Sequence, residues 1–288
     1  TLDCGGKRIR PMLMLAAAEA LGTDKSVAVN QAVGLEMFHN FTLLHDDVMD
    51  RADVRRGRPT VHVKWNEATA ILSGDAMLTM ASQFMGRGCP GRLAEVLDLF
   101  NRTAMEIYEG QQYDMDFESR EDVTVAEYIE MIRLKTSVLL GCACRMGALM
   151  AGADEAVQKA FYDYGTYLGL AFQLQDDWLD TYGDPAVFGK KIGGDILNDK
   201  KTILLINALN RADGKQKARL TSLFGTRSEE KIAEVMAIYD ALDVESECRA
   251  MINDYSEKAI ACLEKAGLSS DAFRYFVDIA ERSLNRKS

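Results

Sequence analysis

Residues 93–115, LAEVLDLFNRTAMEIYEGQQYDM, place Leu93, Val96, Leu97, Phe100, Ala104, Ile107, Tyr108, Gln111 and Met115 at steps of three and four. Such steps align side chains on one stripe of a 3.6-residue period, which predicts an amphipathic helix. Residues 125–150 behave the same way. Further helical runs fit 8–21, 26–50, 66–86, 154–182, 201–211, 214–224, 228–241, 245–266 and 270–285. Proline stands only at 11, 59, 90 and 185, so the residue that most reliably breaks a helix rarely interrupts these runs. No stretch reads as a convincing strand, and the expected fold class is all-α. Turn-rich punctuation at 86–91 (GRGCPG), 152–154 (GAD) and 182–185 (YGDP) separates helices, but none is long enough for a domain linker.

The 288 residues are 48% apolar and 27% charged, with a formal net charge of −10. That balance repels nucleic acid and anionic lipid at long range. The longest apolar runs, 11–18 and 138–144, end at Glu19 and Arg145, short of the roughly 18 residues a membrane span requires. Cys4, Cys89, Cys142, Cys144, Cys248 and Cys262 form no CxxC pair, so free thiols and a cytoplasmic location are expected.

Residues 43–50, LLHDDVMD, and 173–180, QLQDDWLD, carry the same Asp-Asp-x-x-Asp spacing inside apolar helical runs. On a helix, positions i and i+4 lie about 40° apart, so Asp46 and Asp50 form a wall flanked by Asp47, and Asp176 and Asp180 one flanked by Asp177. One such trio is ordinarily a solvated acidic face. Two copies, each built of like charges that destabilise a helix, ask for a compensating cation. Oxygen ligands without Cys or His suit Mg²⁺ or Mn²⁺, and Mg²⁺ prefers a few carboxylates plus waters and phosphates. The D-x-[DN]-x-[DN]-G loop of an EF-hand is absent.

Cations stand beside both trios: Arg51, Arg55, Arg56 and Arg58 after the first, Lys190, Lys191, Lys200 and Lys201 after the second. The opening GGKRIRP at 5–11 puts Lys7, Arg8 and Arg10 near a helix start, where backbone N–H groups also favour phosphate. Taken singly, each is an ordinary surface charge. Taken together, they read as anion ligands interleaved with metal ligands. The histidines, His39, His45 and His62, lack the fourth convergent ligand a zinc site needs. His39 sits two turns below Asp46 on the same face, whereas His45 and His62 read as structural. No Ser/His/Asp or Cys/His arrangement is evident.

These motifs in this order resemble the trans-isoprenyl diphosphate synthase (polyprenyl synthetase) family across nearly the whole chain. The matching segments are GGKRIRP at 5–11, DDVMD at 46–50 followed by Arg55-Arg56, Lys135-Thr136, FQLQDDWLD at 172–180, GKKIGGD at 189–195, and Lys200. The resemblance implies a single-domain bundle of ten or more helices around a deep cavity, usually in a homodimer. It further implies three Mg²⁺ ions bridging Asp46, Asp50, Asp176 and Asp180 to an allylic diphosphate, with Asp47 and Asp177 in support. Arg55, Lys135, Thr136, Gln173, Lys190 and Lys200 are implied at that diphosphate, and Lys7, Arg10, His39 and Arg56 at isopentenyl diphosphate. Lys191 is one register step from Lys190 and stays open as the alternative.

In the implied reaction, ionisation of the allylic C–O bond is followed by alkylation of the isopentenyl double bond and proton loss. The residue five before the first aspartate is Phe41, and an aromatic there resembles short-chain synthases making C15 or C20 products. An ideal helix puts Phe41 about 140° from Asp46, so Phe38, Thr42, Met77 and Met80 stay open as the chain-length floor. A class I terpene cyclase is the rival reading, disfavoured by a second DDxxD and by cations for a second diphosphate. A catalytically silent partner subunit is disfavoured because both acidic trios are intact. The chain opens with Thr1 and reaches its first motif within ten residues, so a native N-terminal helix is expected to precede it.

Overall fold

The computed structural model describes residues 2, 5–184 and 192–284. The chain divides into two compact units, Thr1–Thr103 with Cys142–Tyr162, and Ala104–Gly141 with Asp163–Ser288. Among the described residues both are helical apart from one short hairpin.

The first unit contains α1 (Ile9–Ala20), α2 (Val29–Met49), α3 (Val61–Lys64) and α4 (Glu67–Met85), with the N-terminal part of α5 (Leu93–Glu118). It also takes the end of α7 (Val138–Met150) and the beginning of α8 (Glu155–Tyr182). A 3-10 turn at Lys25–Ala28, held by the Asp24 carboxylate accepting Ser26 N–H at 2.8 Å, leads into α2. Helix α2 packs chiefly on α4. Gly34 lies against Ala81, where an added Cβ would come within 3.0 Å of the carbonyl oxygen. Near the other end of α2, His45 Nε2 meets Ile71 O at 3.2 Å, so the two helices run antiparallel. Leu13, Met14, Leu35, Phe38, Met85 and Phe100 form the buried interior of this unit.

The second unit contains the rest of α5, α6 (Val125–Ile132), the rest of α7 and α8, and α9 (Gly194–Leu197). It continues through α10 (Ile203–Arg211), α11 (Gly214–Ser222), α12 (Glu229–Ala241), α13 (Val244–Leu263) and α14 (Ser270–Leu284). Thr124 and Glu127 close a reciprocal capping box on α6. Six successive residues of α10, from Ile203 to Ala208, are buried, which places α10 inside a core with Tyr128, Leu174, Tyr239 and Ile252.

Three local features differ from the sequence expectation. The run expected over 125–150 is broken by a π turn at Arg133–Ser137; one extra residue per turn leaves the apolar pattern nearly unchanged and so hides from it. The run expected from 26 begins with the 3-10 turn. A two-stranded hairpin, Val54–Arg55 with Arg58–Pro59, stands where no strand was expected. Its two-residue turn, Arg56 at φ 52° and Gly57 at φ 71°, has the double positive φ of a type I′ turn, and strands of two residues are too short to show alternation.

Candidate active site

In the first unit, α2 carries Asp46 and Asp47 on its last turn, with Asp50 as its C-cap. Asp47 is buried and accepts a hydrogen bond from Arg55 Nε at 2.7 Å. Burial raises the Asp47 carboxyl above its ordinary value, and Arg55 opposes that rise. Asp46 is half-buried and Asp50 exposed. The hairpin is what turns Arg55 back onto α2, eight residues after Asp47 in sequence.

A cationic group lies in the same unit. Arg10 Nη1 meets His39 Nε2 at 3.2 Å. Because a guanidinium only donates, His39 Nε2 is the acceptor and the ring proton sits on Nδ1. Burial, with Arg10, Arg56, Arg55 and Arg8 around it, lowers the His39 pKa to about 2, so the imidazole is neutral. Burial also lowers Arg10, to about 10, which leaves it charged at neutral pH. Arg56 donates to Gly5 O and Arg8 pairs with Glu36, tying the GGKR segment to the hairpin and to α2. Lys7 is exposed. The unit thus brings Arg10, His39, Arg55 and Arg56 near one another.

Of the expected chain-length residues, Phe38 and Phe41 lie in the apolar interior of this unit, while Thr42 is half-buried. Phe38 is fully buried, edge-on to Phe100 with ring centroids 5.2 Å apart. Phe41 is buried with its ring 4.7 Å from that of His45, and Thr42 Oγ1 donates to His39 O at 2.8 Å. Met77 is half-buried and Met80 exposed.

In the second unit, α8 carries Asp176, Asp177 and Asp180, and again the middle carboxylate is the buried one. Asp177, 2% exposed, accepts hydrogen bonds from Tyr128 Oη and, at 3.2 Å, from Gln173 Nε2. Thr136 Oγ1 donates to Gln173 Oε1 at 3.2 Å, so the Lys135-Thr136 and FQ motifs meet on this carboxylate. Burial first, then the nearby Asp195 charge, raises the Asp177 pKa; Lys200 and the two hydrogen bonds oppose them. Asp176 and Asp180 are half-buried, and Asp180 Oδ2 accepts Asp195 N–H at 2.8 Å.

Lys135 sits in the π turn and pairs with Asp114 of α5. The two segments approach so closely that a Cβ on Gly110 would fall 2.3 Å from Lys135 N, which only glycine permits. Lys200 is exposed on the turn after α9. Lys190 and its alternative Lys191 lie outside the described residues.

Sequence reasoning overlooked Asp114, Tyr128 and Lys231. Asp114 and Tyr128 sit within or beside apolar stripes and read as helix filler. Lys231, in a Ser-Glu-Glu-Lys helix start, reads as a solvated charge, yet is 2% exposed.

In both trios the second aspartate is the buried one, while the first and third are half-buried or exposed, Asp180 also accepting Asp195 N–H. Two accessible carboxylates one helical turn apart fit a hard divalent cation that keeps waters and phosphate oxygens. Among the described residues no group of three or more His, Cys, Asp or Glu side chains is arranged to hold a metal ion by itself. Among those residues, too, no helix is long and apolar enough to cross a membrane.

Comparison with known proteins gives the same reading. The polyprenyl synthetase family model matches residues 1–242. The chain is 41% identical over 286 residues to a geranylgeranyl diphosphate synthase of Methanosarcina mazei, covering 98% of this chain and 84% of that protein. It is 39% identical over 287 residues to a short chain isoprenyl diphosphate synthase of Methanothermobacter thermautotrophicus, covering 99% and 88%. A crystal structure of a geranylgeranyl pyrophosphate synthase superposes with a TM-score of 0.93 at 44% identity, covering 100% of this chain and 90% of the other. Members of this family use divalent metal. The all-α fold, the two aspartate trios with their shared burial pattern and these matches together establish that the chain belongs to the polyprenyl synthetase family and is a prenyl-transferring enzyme.

Proposed function

We propose that the chain acts as one catalytic domain, in a homodimer, and condenses isopentenyl diphosphate with an allylic diphosphate of C5 to C15 to give a C15 or C20 trans-isoprenyl diphosphate. The observation that carries this reading is the repeated trio with its outer carboxylates half-buried or exposed and its middle one buried, together with the cationic group around His39.

Asp46, Asp50, Asp176 and Asp180 would hold divalent metal, Mg²⁺ by family resemblance and three ions in number, with Mn²⁺ as a substitute. When bound, the metal withdraws charge from the diphosphate that leaves as the allylic C–O bond ionises. Lys135 and Lys200 present ammonium groups to the same leaving diphosphate, and preorganised cations of this kind stabilise developing negative charge where it forms. The Thr136–Gln173–Asp177 chain fixes side chains next to Asp176, so little reorganisation is needed at the moment of ionisation. Arg10, Arg56 and Lys7 would hold the second diphosphate. His39, neutral, contributes a hydrogen-bonding ring there without taking a proton from solvent at working pH. Phe38, Phe41 and Thr42 would limit the length of the growing chain.

No side-chain nucleophile is required. The allylic cation alkylates the isopentenyl double bond, and the released diphosphate is the base for the last proton. A cyclase would need only one diphosphate, and the matched relatives are named as diphosphate synthases. The test is incubation of the purified chain and Mg²⁺ with isopentenyl diphosphate and C5, C10 or C15 starters, followed by sizing of the alcohols that phosphatase releases. Chain extension without added partner protein is expected. Release of cyclic hydrocarbon, or no extension, would overturn the reading.

A further inference from the structure

Lys231, on the first turn of α12, stands outside every motif read from the sequence and is 2% exposed. Its ammonium donates to Asp199 Oδ1 at 2.6 Å, to Thr226 O at 3.1 Å and to Leu197 O at 3.4 Å. Three acceptors match the three N–H donors of an ammonium. Packing alone does not ask for a charge here, since the buried face of α12 continues with Val235 and Tyr239 and an unbranched apolar side chain would fill the same place. A buried ammonium is tolerated only when fully paired, and its partners are the last residue of α9, the turn after it and the loop before α12.

The turn after α9 is what the charge grips. Asp199 has φ 54°, a left-handed conformation that a non-glycine residue adopts only against strain. Its second carboxylate oxygen accepts Gly225 N–H at 2.7 Å, so the side chain is held from two sides. The other end of the segment is tied to the second aspartate trio, Gly193 N–H to Asp180 O at 2.6 Å and Asp195 N–H to Asp180 Oδ2 at 2.8 Å. Lys200 follows Asp199 directly, its N–H bonded to Asp195 O at 3.0 Å, and its charge acts on Asp177. A cavity of about 10 Å³, room for about one water, is lined by Asp195, Asp199, Lys200 and Lys231 among others.

We propose that Lys231 is a positioning residue for the diphosphate site, fixing Asp199 and thereby the place at which Lys200 holds its ammonium beside the second aspartate trio. The inference rests on the assignment of Lys200 to the leaving diphosphate. It is tested with Lys231→Met, Lys200→Met and the double variant as full chains. The measurements are kcat, the KM for each diphosphate substrate, and inhibition by inorganic pyrophosphate with Mg²⁺.

Each single variant is expected to lower kcat/KM for the allylic substrate by about tenfold or more and to weaken pyrophosphate inhibition similarly, with the KM for isopentenyl diphosphate unchanged. Because one residue acts through the other, the double variant loses less than about threefold beyond Lys200→Met. Multiplying losses, or a Lys231→Met enzyme with unchanged kcat/KM, overturn the proposal alone. A Lys200→Met enzyme as active as wild type overturns the Lys200 assignment and the proposal with it. Should Lys231→Met not fold, Lys231→Gln, which keeps two N–H donors without the charge, takes its place in the cycle.

Discussion

Arg55 Nε donates to Asp47 Oδ1 at 2.7 Å, and the carboxylate it meets is 5% exposed. The bond separates the members of an aspartate trio that look equivalent in sequence, because Asp47 is committed to the hairpin while Asp46 and Asp50 remain accessible. Asp46→Asn is therefore expected to lower kcat by about 10²-fold or more with little change in Tm. Asp47→Asn is expected to lower stability by about 1–3 kcal/mol, since Arg55 loses its charged acceptor. Parallel kinetics and urea unfolding of the two variants check this. A stable, fully active Asp46→Asn enzyme contradicts the metal assignment. In the second trio Asp176→Asn should behave as Asp46→Asn does.

The His39 pKa is lowered to about 2, chiefly by burial and then by Arg10 and its neighbours. In the unfolded chain it returns to about 6.5. As pH falls below that value, the unfolded chain takes up a proton that the folded protein refuses, so stability is lost on acidification, by at most about 1.4 kcal/mol per pH unit. His39→Gln retains an acceptor for Arg10 and cannot titrate. Denaturant unfolding at pH 7.5 and pH 5.5 should show a smaller pH-dependent loss in the variant than in wild type. Equal losses would mean that His39 is protonated in the folded protein.

Phe41 is 5% exposed and packs on the His45 and Phe38 rings. Phe41→Ala opens space along α2, so longer products are expected, together with a stability loss of about 3–5 kcal/mol from the cavity. Product sizing at a temperature well below the variant's Tm separates the two effects. An unchanged length distribution would move the floor to Phe38, Met77 or Met80.

No three-carboxylate cage is present among the described residues, so metal affinity should depend on the diphosphate that completes its coordination. Mg²⁺ alone is expected to raise Tm only slightly. Mg²⁺ with inorganic pyrophosphate at about 100 times its Kd should stabilise the protein by about 2.7 kcal/mol. Chelation should stop turnover while leaving the helical circular dichroism intact. Unfolding on chelation would show a structural metal instead.

How legible the molecule was differs from element to element for physical reasons. The stripe from Leu93 to Met115 announced α5 because apolar spacing and helix geometry are the same fact seen twice. The hairpin at Val54–Pro59 carried no such signal, since its order comes from a tight turn rather than from alternation, and the Arg56-Gly57 pair is a weaker turn mark than Asn-Gly. The π turn under Lys135 was invisible because the same residues would suit an α-helix; the tight seat of Gly110 against the Lys135 backbone accompanies it. Lys231 read as solvated because a lysine after two glutamates ordinarily is, and its burial is made tolerable by Asp199, 32 residues earlier, with two backbone carbonyls.

The amino-acid order alone determined the all-α class, the two repeated aspartate trios and the cations beside them, since these depend on side-chain types and short-range spacing. Which aspartate of each trio is withdrawn into protein was decided only by tertiary structure. Asp47 and Asp177 meet Arg55 and Tyr128 across 8 and 49 residues of chain, and whether a carboxylate stays accessible depends on what the fold brings against it.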